Sequence, residues 1–131
     1  MFQDDIYNVI ADDASINQYA DHILVKRLPA FDNGDEVNEK EDTIVFINYS
    51  KEESERTRDS IDYMSRYALF VYVGSPQSHK MFELSDIIQQ TLEVHNSENI
   101  LNINYVDGNE SYDDESYVFY NDMEFEVIYS R

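Results

Sequence analysis

The residues from Ile61 to His95 constrain this chain most, because they read as one long strand running straight into one long helix. Between Ile61 and Gly74, Tyr63, Tyr67, Leu69, Val71 and Val73 fall on one side of the alternation, with Met64, Ala68, Phe70 and Tyr72 on the other. A strand apolar on both faces is expected at the centre of a sheet and covered on both sides. Ser75 and Pro76 then mark a helix start: the serine oxygen can accept from a free N–H, and proline suits the first helical position. From there Met81, Leu84, Ile88, Thr91, Leu92 and His95 recur at helical spacing, with Glu83, Asp86, Gln89, Gln90 and Glu93 turned outward. A helix of twenty residues spans about 30 Å, enough to cross a small sheet.

The remaining segments look arranged around that unit. Phe2, Ile6, Val9 and Ile10 form the apolar stripe of a first helix, with Asp4 and Asp5 in its first turn, where the helix dipole favours carboxylates. Ile16–Ala20 reads as a short second helix capped by Asp12 or Asp13. His22–Leu28 reads as a strand ended by Pro29, and Thr43–Tyr49 as a second strand. Between them, Ala30–Asp42 reads as a long loop without periodicity. Ser50–Ser60 is polar and mixed in charge, either a helical turn or the tip of a hairpin. Ile100–Val106 is a strand, Asp107–Glu115 a second acidic loop, and Ser116–Tyr129 a long alternating strand with a kink expected at Asn121-Asp122. The expected fold is α+β: a mostly antiparallel sheet of four to five strands packed by one long helix, with an N-terminal helix, in a single domain over residues 1–131.

Charge narrows the functions. The chain carries 28 acidic against 9 basic residues, a formal net charge of −19, and Met81–Ser130 holds no lysine or arginine. Such a surface repels nucleic acid and anionic membranes. Eleven tyrosines and seven phenylalanines, set in periodic segments, argue for a folded rather than a disordered acidic chain. There is no cysteine, hence neither a disulfide nor a thiolate metal site, and an intracellular folding site is expected. No apolar run reaches membrane-spanning length, so a soluble protein without a membrane partner is expected.

Catalytic and metal-binding patterns fail one by one. Asp32-Asn33-Gly34-Asp35-Glu36 resembles part of an EF-hand, but placing Gly34 at the sixth loop position puts Pro29 where the first carboxylate belongs. Asp107-Gly108 fails in the same way. His22, His79 and His95 are not at ligand spacing, and His95 fits the last turn of the long helix, where an imidazolium is favoured. No Gly-x-Ser-x-Gly turn occurs among three glycines, and Gly74-Ser75-Pro76 lacks the further glycines and the lysine of a phosphate loop. A sharp strand-to-helix turn is the expected role of Gly74. The sequence indicates no cofactor and no enzyme.

Tyrosines on strands are too numerous for so small a domain to bury them all. Tyr63, Tyr67, Tyr72, Tyr117, Tyr120 and Tyr129 combine apolar area with a hydrogen-bonding tip, the combination enriched at interfaces. A sheet face covered by another chain is the expectation.

The layout resembles the phage tail terminator (tail completion, tail-to-head joining) family. The resemblance rests on the opening helix with Ile6, Val9 and Ile10, the Ile23–Pro29 strand, and Arg66-Tyr67-Ala68-Leu69-Phe70-Val71-Tyr72 leading into a helix with Leu84, Ile88 and Leu92. It closes on Tyr120 and Met123-Glu124-Phe125-Glu126-Val127. It implies a non-enzymatic virion protein, assembled in the bacterial cytoplasm, that forms a ring, commonly a hexamer. The ring would cap the tail tube, end its elongation and join it to a head-completion or connector protein. DNA would pass through without specific binding, since carboxylates repel it. On that footing Tyr63, Arg66, Tyr72, Arg56, Arg58, Tyr117 and Tyr120 are the expected interface residues. Asp35, Glu36, Glu39, Asp107, Glu110, Asp113 and Asp114 are expected at the channel or its rim. Two other readings stand beside this one: another neck protein, or an acidic mimic of DNA that inhibits a host nuclease.

Overall fold

A computed structural model describes residues 2–26, 31–32, 35–38, 40–56 and 63–130. The elements follow in the order α1 (Phe2–Ala11), α2 (Ala14–Tyr19), β1 (His22–Val25), β2 (Phe31–Asp32), β3 (Asp35–Glu36), β4 (Ile44–Arg56), β5 (Tyr63–Ser75), α3 (Ser78–Val94), β6 (Ile100–Asp113) and β7 (Val118–Ser130). Five strands make one sheet in the order β1-β4-β5-β7-β6; β1 runs parallel to β4 and every other neighbour is antiparallel. The fold is the expected α+β arrangement, with β5 at the centre of the sheet.

All three helices pack on one side. Phe2, Ile6 and Ile10 of α1, Ile16 of α2, and Met81, Leu84, Ile88 and Leu92 of α3 form one core with Val45, Ile47, Leu69, Val71, Val73, Met123, Phe125 and Val127. Leu84, Ile88 and Leu92 are fully buried, each contributing about 1.5–3 kcal/mol through lost apolar contact with water. Asp13 fixes the corner between α2 and α3: one oxygen accepts from the Ile16 N–H at 3.0 Å and caps α2, and the other accepts from the Thr91 hydroxyl at 3.2 Å.

The start of α3 departs from expectation. Ser75 is the last residue of β5, and its fully buried hydroxyl is shared with Thr43 at 2.9 Å and with the Gln77 N–H at 3.2 Å. The helix begins at Ser78, Gln77 sits in the cap position without a side-chain cap, and His95 lies just past the C-terminus rather than in the last turn. Ladder pairing with Phe119 holds Ser75 in the strand. Gly74 is likewise a strand residue. A Cβ there would stand 2.6–2.9 Å from the Tyr72 ring, so the glycine lets that ring lie flat along the strand.

Both polar connections contain more strand than expected. β4 runs on to Arg56, paired antiparallel opposite Tyr63, so the described part of Ser50–Ser60 is strand; residues 57–60 lie outside the described residues. The acidic segment Asp107–Glu115 is no loop: β6 pairs with β7 as far as Asp113, and only Asp114–Tyr117 turn. Strand β7 shows no break at Asn121-Asp122; the irregularities lie in β6, between Ile100 and Asn102 and between Tyr105 and Asp107. β1 ends at Val25, where Lys26 takes φ 65°. Within Ala30–Asp42, β2 and β3 pair as a small hairpin of their own.

Candidate assembly surfaces

The face of the sheet opposite the helices carries the other half of each alternation. Phe46, Phe70, Tyr72 and Tyr120 lie on it, and Phe70, at the centre of the sheet, is 40% exposed. Tyr72 and Tyr120 stack at 5.8 Å between centroids, inclined by 23°. The expectation that β5 is covered on both sides is therefore corrected: among the described residues every helix packs on the side of Leu69, Val71 and Val73. A central strand that keeps an apolar outer row without a layer over it leaves a surface suited to protein contact.

Carboxylates flank that aromatic row. Asp122, Glu124 and Glu126 follow one another on the outer face of β7, opposite Tyr72, Phe70 and Ala68. Alternate residues of a strand stand about 7 Å apart, so the three form a line. Burial raises the Asp122 carboxyl above its ordinary value. Across the next rung Glu124 faces Asp107, a like-charge pair that works against the ladder. A cation meets the line: Arg66 Nε lies 3.8 Å from Glu126 Oε1, a solvent-facing pair of small energetic weight.

Strand β6 is the far edge of the sheet, bonded among the described residues to β7 alone. Its two register shifts leave Leu101 and Val106 without a partner residue, and these are 43% and 53% exposed. Tyr105 packs edge-on against Phe125, and its hydroxyl end reaches Gly108, where a Cβ would collide with it. Tyr112 tilts against Phe119 at 4.6 Å. At the tip, the Asp113 carboxylate accepts from the N–H groups of Glu115 and Ser116 and from the Ser116 hydroxyl. The bond to the Glu115 N–H is the main reason its carboxyl lies below the usual range. The turn ends on Tyr117, 66% exposed and at φ 58°, a conformation that favours glycine.

Two further clusters lie on the helix side. Phe2 stacks on Tyr67 at 3.8 Å and 5°, with Tyr49 and Tyr129 edge-on around it. Tyr49 donates to Gln3 Oε1 at 2.9 Å, and Lys26 Nζ sits 3.9 Å from the Tyr49 ring centre. A second hollow, lined by Asp5, Asp12, Asp13, Thr91 and His95 among others, runs beneath the end of α3. Among the described residues no group of three or more histidines and carboxylates is placed to hold a metal ion.

The structure thus separates the expected interface residues. Arg66, Tyr72 and Tyr120 share the outer face; Tyr117 stands at the β6–β7 tip with Asp113 and Asp114; Asp107 and Glu110 lie along β6. Arg56 and Tyr63 pair at the outer rung of the β4–β5 hairpin, and Asp35 and Glu36 form β3. Arg58 and Glu39 lie outside the described residues. Sequence reasoning missed Leu101, Val106 and Tyr112 as surface residues. It also did not see that Asp107 lies beside Glu124. The signal was masked by the turn-like Asp107-Gly108 and by the shift at Val106, which puts Tyr105 and Tyr112, seven apart, on one face.

No protein-family model matches the chain, and no curated protein does. Among solved structures, a chain of the virion of a native gene transfer agent particle is similar in fold. The TM-score is 0.60 at 9% identity, covering 96% of this chain and 92% of that one. The likeness spans the helices and the whole sheet, and at that identity it is a likeness of fold.

Proposed function

We propose that this chain is a structural, non-enzymatic protein of a phage-like virion, acting as a tail terminator. In this reading copies of the chain close into a ring, a hexamer by the resemblance of its sequence, at the head-proximal end of the tail. The ring caps the tube, ends its growth and presents a joint to a head-completion protein. The observation that carries the reading is the open aromatic face of a central strand, in a fold similar from end to end to that of a gene transfer agent virion chain. Closed rings need heterologous contacts, in which one surface of a subunit meets a different surface of the next. Arg66 and Tyr72 on the outer face, with Arg56 at the end of β4 and Arg58, supply one such surface. The carboxylates of a neighbour supply the other.

Asp113 and Asp114 at the β6–β7 tip, with Asp35, Glu36 and Glu39, belong at the rim of the channel. There they keep DNA moving, because like charge denies the phosphates a place to rest. Light scattering after size-exclusion chromatography, with negative-stain microscopy of tails made with and without the protein, tests the reading. A ring, together with over-long or headless tails in its absence, supports it; tails of normal length that still join heads overturn it.

One observation favours a second reading. The line of Asp122, Glu124 and Glu126 resembles a row of phosphates, as an inhibitor mimicking DNA would carry. That reading requires a monomer or dimer that blocks a nuclease, and the same scattering measurement separates the two.

A further inference from the structure

The outer edge of β6 is long, and what guards it is negative charge and two bulges. It runs fourteen residues, from Ile100 to Asp113, and among the described residues it pairs on one side only. Natural edges are blunted by charged side chains, bulges, proline or an overlying element, and charge of one sign repels like strands while leaving a strand of opposite charge a partner. Here Met81–Ser130 contains no lysine and no proline. From Asn104 to Tyr112 every residue except Gly108 is exposed. Both residues left unpaired by the register shifts, Leu101 and Val106, are apolar. Charge along the strand is of one sign: Asp107, Glu110 and Asp113, with Asp114 and Glu115 in the turn.

From this we infer that the β6 edge accepts an extended, cationic segment of a different protein, added as a sixth strand with lysines or arginines on both of its faces, because Asp107 and Glu110 lie on opposite faces of β6. Charge and length argue against a second copy. Antiparallel pairing of β6 with β6 about Glu110 sets Glu110 against itself and Asp107 against Asp113, and like charges directly opposed destabilise a ladder. The opposite edge, β1, offers four residues and ends at Lys26 in the left-handed region, too short to match β6. A basic strand instead gains main-chain hydrogen bonds from the edge and charge-assisted contacts from its carboxylates. The virion reading is needed only for the source of the segment, a neighbouring protein of the particle; its chemistry follows from β6 itself.

Amide exchange of the full chain, followed by NMR, tests this with two probes: a short peptide of lysine and threonine with lysines on both strand faces, and its glutamate counterpart. The lysine peptide should slow exchange selectively along Leu101–Tyr112, bind about tenfold more tightly than the glutamate peptide, and weaken as salt rises. Val106→Lys should abolish the protection, whereas Val106→Thr should keep it; unchanged thermal melts show that both variants are folded. Absent protection of β6, equal protection by both peptides, or protection that grows with protein concentration alone would each overturn the inference. Light scattering on the same samples reads ring closure separately, so failure here and failure of the terminator reading are told apart.

Discussion

The phenol of Tyr129, near the end of β7, donates a hydrogen bond to the carboxylate of Asp5 in α1, 124 residues away in sequence. It closes the aromatic cluster in which Phe2 lies edge-on to Tyr129 at 5.2 Å. Burial, together with that hydrogen bond, pushes the phenol from its ordinary 10.0 up to about 12. The folded chain therefore holds this proton more tightly than the unfolded chain. The resulting stability is complete below pH 10 and is lost as pH rises toward about 12. Tyr129→Phe should cost about 1–2 kcal/mol at neutral pH and flatten the alkaline decline. Urea melts across the alkaline range, with phenolate absorbance in parallel, measure both.

Tyr117 occupies a left-handed turn position that a glycine would take without strain. Tyr117→Gly should stabilise the β6–β7 hairpin by about 0.5–1 kcal/mol. If the ring is correct, the same change should weaken assembly, because the exposed ring is what the strained position presents. Thermal melts and sedimentation on one sample show whether stability and association move in opposite directions.

Glu124 faces Asp107 across the ladder and Phe70 on its other side. Glu124→Gln removes the like-charge opposition and should raise stability by about 0.2–1 kcal/mol at low salt. The gain should shrink as salt screens the pair. A gain that persists undiminished in high salt would point to packing rather than charge.

Arg66 lies on the outer face, beside Glu126. Arg66→Glu should leave the fold intact, since exposed pairs of this kind contribute at most about 1 kcal/mol. It should still weaken assembly, by setting a carboxylate against the neighbour's. An oligomer of unchanged size and dissociation constant by analytical ultracentrifugation would remove Arg66 from the contact.

What could be read from the sequence follows where burial imposes a period. The inner row of β5 and the apolar stripe of α3 were legible because each residue is fixed by contact with a core. Beyond the core that signal fades. From Asn104 to Tyr112 nearly the whole of β6 faces water, so only main-chain bonding to β7 makes it a strand, and acids there look like loop. Gly108 misled for a related reason: it is not a turn but the gap into which Tyr105 reaches. Ser75-Pro76 carried a true local signal displaced by the ladder, since pairing with Phe119 kept the serine in the strand. The surplus of strand tyrosines points to a face for another chain but not to which face, because an apolar row reads alike whether a helix of the same chain covers it or another molecule does.

Strand β7 follows every other element in the chain, yet it lies between β5 and β6. Until it emerges from the ribosome, β6 has nothing to pair with and the central strand offers one whole side to any passing polypeptide. Nascent copies made side by side on a polysome would thus be at their most adhesive just before β7 is made. The interval is set by the speed of translation, and a chaperone or a slow-codon pause acting there would govern yield more than any change to the finished core.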